Sequence, residues 1–126
     1  MREILFRAKR RDSGEWIYGY YQPPIPARED IGTTLAVFTD DGFLEDIRVD
    51  PETVGQYIGL IDADGKKIFE GDILESPVIH YSRKLTRRII VTDIRECKFM
   101  SLYVNEYRIA GNVHDNPEML ELEYDD

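Results

Sequence analysis

The chain has 126 residues, of which 42% are hydrophobic and 33% charged, a balance that suits one globular domain and excludes a disordered polymer. The formal net charge of -9 disfavours non-specific binding to nucleic acid, which needs a positive surface. The single cysteine, Cys97, excludes an internal disulfide, and a chain of this length buries a core without one.

The predicted elements are short and β-like. Ile4, Phe6 and Ala8 alternate with Leu5, Arg7 and Lys9, the period of a first strand. Asp12, Ser13 and Gly14 mark a turn, and Glu15–Tyr21 follows as a strongly β-prone run. Pro23, Pro24 and Pro26 cannot occupy a central strand, so a surface loop is expected to about Gly32. Thr33–Phe38 and Phe43–Val49 flank an Asp40-Asp41-Gly42 turn. Asp50-Pro51-Glu52 reads as a helix start, limited by Gly55 to about one turn.

Gln56–Ile61 returns to strand, and Asp62-Ala63-Asp64-Gly65 turns the chain into Lys66–Phe69. Gly71-Asp72 makes a corner before Ile73-Leu74. Arg87–Ile94 and Lys98–Val104 read as a strand pair, and Tyr107–Val113 as the last strand. Asn116-Pro117-Glu118 repeats the earlier helix start, and residues 121–126 form an acidic tail. The expected fold is mainly β: short antiparallel strands in a partly open barrel or sandwich, with one or two single-turn helices. Residues 1–120 are read as one domain. The N-terminus lacks the apolar stretch of a signal peptide and no apolar run is long enough to span a membrane, so the expected location is the cytoplasm.

Charge is unevenly spread. Residues 28–75 carry four basic and thirteen acidic groups, whereas residues 76–113 carry seven basic and three acidic. Such alternation gives either a solvated surface or complementary patches on neighbouring subunits.

Residues 49–73 read VDPETVGQYIGLIDADGKKIFEGDI. This stretch resembles the core signature of the YopX family: a VDPETVGQYTGL-type run, a D-x-x-G-K turn, then I-[YF]-E-G-D-[IV]. Phe6-Arg7-Ala8, Trp16-Ile17-Tyr18-Gly19 and Gly111-Asn112-Val113 through Asn116-Pro117-Glu118-Met119-Leu120 are similar to its flanking elements, in order. The resemblance implies a mostly β protein encoded by phages or prophages, acting in the cytoplasm of a bacterial host. It implies no catalytic residue. Ile58 stands where the family usually has Thr, and residues 22–48 and 76–108 match weakly. The signature also has a purely architectural reading, since glycines, apolar residues and turn aspartates specify backbone turns and core.

No constellation predicts catalysis or a cofactor. Asp62-x-Asp64-Gly65 resembles part of a calcium loop, but with Gly65 at the sixth position Leu60 and Gly71 fall where carboxylates are required. One Cys and two widely separated His, His80 and His114, do not make a zinc site. Cys97, flanked by Arg95 and Lys98, reads as packing rather than as a nucleophile. Adjacent carboxylates (Asp40/Asp41, Glu45/Asp46, Asp62/Asp64, Glu70/Asp72) carry little information among 25 acidic residues.

Two candidate surfaces remain. Trp16, Tyr18, Tyr20 and Tyr21 form a candidate protein-interaction strand, because Trp and Tyr are favoured anchors and strict alternation cannot bury all four. Arg83, Lys84, Arg87 and Arg88, beside Tyr81, form a candidate basic patch for nucleic acid. The expectation is a non-enzymatic accessory protein that assembles with itself or with a phage or host protein. The alternative is a nucleic-acid-binding factor, favoured if the four basic residues share one face. An unrecognised small enzyme is the third reading.

Overall fold

The computed structural model describes residues 3–80, 82–93, 95 and 104–120, without the side chains of 78–80 and 104. It is built of antiparallel strands and short 3-10 turns, and no sheet closes into a barrel. The chain divides into two compact units, Met1–Tyr57 and Ile58–Asp126.

In the first unit, β1 (Phe6–Lys9), β2 (Trp16–Gln22), β3 (Thr34–Phe38), β4 (Leu44–Arg48) and the start of β5 (Gly55–Ile61) lie in the order β4-β3-β2-β1-β5. β2 changes partner along its length. Trp16–Gly19 pairs with β1, and Tyr20–Gln22 pairs with β3. The change falls at Gly19, where a Cβ would collide with the Ala36 carbonyl oxygen and stand 3.1 Å from Val37 Cγ2. Glycine is needed here for close backbone approach. The sheet then curls, so that the end of β4 returns to the end of β1. Arg10 bridges Val49, Arg11 N donates to Arg48 O (3.0 Å) and Asp50 N donates to Lys9 O (2.9 Å). The core of this roll is Ala8, Leu35 and Val49, with Phe6, Ile17, Val37 and Val54 packed around it.

The Asp50-Pro51-Glu52 start forms the expected single turn, Pro51–Thr53, with Asp50 Oδ1 accepting from Glu52 N at 3.1 Å. Thr53 is buried, and its hydroxyl donates to Asp50 O (2.7 Å) while accepting from Lys9 N (2.9 Å). One side-chain oxygen thereby closes the turn and satisfies the last amide of β1.

In the second unit, the rest of β5 pairs with β6 (Lys67–Phe69), and β8 (Arg83–Ile90), β7 (Asp72–His80) and β9 (Arg108–Asn112) form a three-stranded sheet in the order β8-β7-β9. Ile58, Ile68, Leu74, Val91 and Tyr107 make its core, with Leu60, Ile89 and Ile109 against them. β7 runs far beyond the predicted Ile73-Leu74 and passes through Pro77. The register explains the tolerance: β9 reaches only Asp72–Glu75, so Pro77 lies beyond it. Val91 bonds Gly71 and Asp72, which by alternation turns the Pro77 nitrogen away from β8. β8 likewise starts at Arg83, earlier than predicted. The predicted strand at Lys98–Val104 falls on residues 98–103, outside the described set, and Val104 opens a 3-10 turn.

Asp62 ties this unit together. It is 4% exposed, its Oδ1 accepts from Asp64 N and Lys66 N (both 2.9 Å), and its Oδ2 accepts from Ile109 N (3.0 Å). Burial alone would raise its pKa, but the amides of Ile109, Lys66 and Asp64 more than reverse this and hold it below the ordinary 3.8.

Two predictions follow from these constraints. The folded state holds the Asp62 proton more weakly than the unfolded chain does. The carboxylate's contribution is therefore complete above the ordinary value of 3.8 and disappears as pH falls through its lowered folded value. Asp62→Asn should remove that acid-sensitive component and destabilise the fold at neutral pH by about 2 kcal/mol, since an amide would aim a donor at Ile109 N. Urea titrations of both proteins from neutral to acid pH measure this; an unchanged stability at neutral pH refutes it. Gly19→Ala should cost about 2 kcal/mol through backbone collision, read as a lower denaturation midpoint.

Candidate functional site

Several carboxylates and amides of the sequence motifs hold backbone. Beside Asp50 and Asp62, Asp72 is 1% exposed and accepts from Phe69 N at 2.8 Å. Asp64 pairs with Arg108 (3.2 Å). In the closing element, Asn112 Oδ1 accepts from His114 N (3.0 Å) and Asp115 N (2.9 Å). Asn116 Oδ1 accepts from Asn112 N (3.2 Å), and Asn116 N donates to Asn112 O (2.8 Å). Gly111 leaves room for this knot, since a Cβ there would stand 2.8 Å from Asn116 Cγ. These oxygens accept structural hydrogen bonds.

Among the described residues, no three His, Cys, Asp or Glu side chains are grouped to hold a metal. Cys97 and the side chain of His80 lie outside the described set. Arg95, one of the cations near Cys97, bonds Asp93 at 2.7 Å and, mainly through that hydrogen bond, lowers the Asp93 pKa to about 2. No described helix is long and apolar enough to cross a membrane.

The aromatic residues of β2 divide by strand alternation. Ile17 and Tyr21 share the core-side face, where Tyr21 meets Phe6 edge-on with ring centroids 5.5 Å apart. Trp16, Tyr18 and Tyr20 share the opposite face. Trp16 is half-buried beneath two cations, with Arg7 Cζ 4.7 Å and Lys9 Nζ 5.5 Å from its ring centroid. Tyr18 and Tyr20 are each 50% exposed, and Tyr20 meets Phe38 of β3 edge-on at 6.3 Å. Phe38 is 62% exposed, and its register partner Leu44 is also exposed. Sequence reasoning found the tyrosines and missed Phe38 and Leu44. Those two join the surface through pairing between strands, which alternation within one strand does not reveal.

The basic residues are separated in the same way. All four lie on β8, but Arg83 and Arg87 alternate with Lys84 and Arg88, so they occupy opposite faces. Arg88 is committed to Glu75 at 2.7 Å and also donates to Met119 O at 3.0 Å. Arg83, Lys84 and Arg87 are exposed and form no ion pair among the described residues.

A shallow gap in the first unit is lined by Arg10, Arg11 and Asp12 on one side and Glu45–Arg48 on the other. Arg10 is engaged by Asp12 at 3.0 Å, a hydrogen bond that raises the arginine's pKa and lowers the aspartate's. Three cations and three anions line this gap, so it offers no net charge to an ionic ligand.

The sequence profile of a family described as YopX protein matches residues 5–121. No curated protein matches the chain. Among solved structures, it is similar to the crystal structure of protein EF1440 from Enterococcus faecalis, at 26% identity and a TM-score of 0.49, over 96% of this chain and 100% of that one. With its glycines, apolar residues and turn carboxylates all in place and the profile match spanning nearly its whole length, the chain belongs to the YopX family.

Proposed function

We propose that this chain is a non-enzymatic protein-interaction module that binds a protein partner through the aromatic face of its first sheet. The observation that carries this reading is the contiguous exposure of Tyr18, Tyr20 and Phe38 on one side of β2 and β3. An exposed aromatic surface that includes two tyrosine hydroxyls suits a partner that offers apolar side chains and backbone carbonyls. It lacks the concavity that would enclose a small substrate. Asp50, Asp62 and Asp72 of the motif support the non-enzymatic reading, because backbone amides already bond them. The family resemblance supplies the biological setting: a phage or prophage accessory protein in the bacterial cytoplasm, with a phage or host protein as partner. The division of the basic residues between two faces of β8 weighs against the nucleic-acid alternative.

The test is a pull-down of the tagged full-length chain from host lysate treated with nuclease, alongside a Tyr18→Ser/Tyr20→Ser/Phe38→Ser variant. One protein should be retained by the wild type after nuclease and depleted about tenfold or more with the variant. Capture that vanishes with nuclease, or equal capture by both baits, overturns the proposal.

A further inference from the structure

β2 runs directly into Pro23, Pro24 and Pro26, all exposed, with Ile25 between them 56% exposed. Each proline ring fixes its own φ, and Gln22, Pro23 and Ile25 each precede a proline, which keeps them out of the helical region. Ile25 is accordingly extended, at φ -93 and ψ 120. The segment is held near the polyproline II conformation before anything binds it, so docking costs it little conformational freedom. Arg28 ends the 3-10 turn that follows. Its side chain is 61% exposed and meets Asp30 only at 3.5 Å, a long contact for an ion pair.

Proline offers an apolar ring and a carbonyl acceptor but no amide donor. Aromatic rings with hydroxyl donors are its chemical complement, and proline-rich segments dock on surfaces of that kind. The first sheet carries one in Tyr18, Tyr20 and Phe38. The rings of Tyr20 and Phe38 stand 6.3 Å apart, and two residues of polyproline II advance about 6 Å, so Pro24 and Pro26 match the spacing of neighbouring rings. Asp40 and Asp41, exposed in the turn that follows β3, lie just past Phe38 and carry the charge that complements Arg28. Segment and face sit at opposite ends of the β2–β3 pair. The segment leaves after Gln22, which pairs with Thr34, whereas Phe38 lies beyond Ala36, the partner of Tyr20. Within one copy both remain exposed.

We infer that the Pro23–Pro26 segment of one copy docks on the aromatic face of a second copy, with Arg28 set against Asp40 and Asp41. This rests on the aromatic face being a binding surface, and it names a second copy as one occupant of that face. Shape, spacing and charge select the segment: it is rigid, exposed, rich in rings that stack on tyrosine and phenylalanine, and followed by a cation where the face is followed by two carboxylates. The contact is small, so self-association is weak, and a partner with a larger interface displaces it.

The test is a titration of the full chain with a synthetic peptide of residues 22–30, QPPIPARED, followed by NMR of the aromatic rings. The signals of Tyr18, Tyr20 and Phe38 should shift. A peptide carrying Pro23→Ala, Pro24→Ala and Pro26→Ala should bind about tenfold more weakly. An Arg28→Glu peptide should lose affinity for the wild-type chain and regain it on an Asp40→Lys/Asp41→Lys chain. In sedimentation, the weight-average mass of the wild type should rise above that of the monomer as its concentration approaches millimolar. The Pro23→Ala/Pro24→Ala/Pro26→Ala chain, checked for an unchanged circular dichroism spectrum and melting point, should stay monomeric. Absent shifts, equal binding of the alanine peptide, no recovery on charge exchange, or a wild type that is monomeric throughout overturns the inference. A face that captures a lysate protein yet ignores the peptide overturns the self-contact alone. One that binds the peptide yet captures no lysate protein overturns the partner reading alone.

Discussion

Three backbone amides from two distant stretches of chain converge on the Asp62 carboxylate, and the second unit is organised around that convergence. Asp64 N and Lys66 N close the turn between β5 and β6, while Ile109 N belongs to β9, 47 residues further on. Apolar contacts would hold these segments near one another without fixing their register, because burial is non-directional. The carboxylate supplies the direction. With Ile109 placed, Tyr107 O meets Ala63 N, and β9 meets β7 with one extra residue, Ala110, at the shift between Ile73 and Leu74. In the first unit Thr53 has the corresponding part, joining the turn after β4 to the last amide of β1. A hydroxyl is sufficient there because the site needs one donor and one acceptor.

Much of this architecture was legible in the sequence because its causes are local. Alternation located β1, β-prone composition located β2, the Asp40-Asp41-Gly42 turn located β3 and β4 on either side of it, the Asp50-Pro51 pair located its own turn, and the Asp62–Gly65 stretch located the β5–β6 connection. The failures have a common origin in pairing between strands. The sequence reading of β7 stops at Ile73-Leu74, yet the strand continues through Pro77, which sits where β9 has already stopped. Arg83 to Thr86 show no local apolar alternation, and they become strand because Ile79, Val78 and Pro77 lie opposite them. The role of Gly19 was equally hidden, since the atom that excludes a side chain there belongs to Ala36.

The same distinction governs the surfaces. A run of aromatic or basic residues in a sequence looks like one patch, but a strand distributes it over two faces. Tyr21 departs from Tyr18 and Tyr20 for this reason, and Arg87 from Arg88. What rebuilds a patch is the neighbouring strand. Phe38 and Leu44 extend the tyrosine face across β3 and β4, and no equivalent neighbour extends the basic residues, because β8 is at the edge of its sheet.

These observations also explain why the family signature says so much about fold and so little about activity. A signature held by function would show side chains that converge on a shared cavity. Here Asp50, Thr53, Asp62, Asp72, Asn112 and Asn116 each bond main-chain groups within their own unit. Such positions admit few alternatives, because replacement leaves a buried amide unsatisfied. The constraint is met within the chain and places no demand on a ligand. The surfaces outside this network are exposed: Tyr18, Tyr20 and Phe38 retain half or more of their surface, and Arg83, Lys84 and Arg87 of β8 are exposed as well. Phe38, Leu44 and β8 fall in the stretches that resemble the family least. The scaffold is thus fixed by hydrogen bonds made within the chain, and its exposed faces take no part in specifying it.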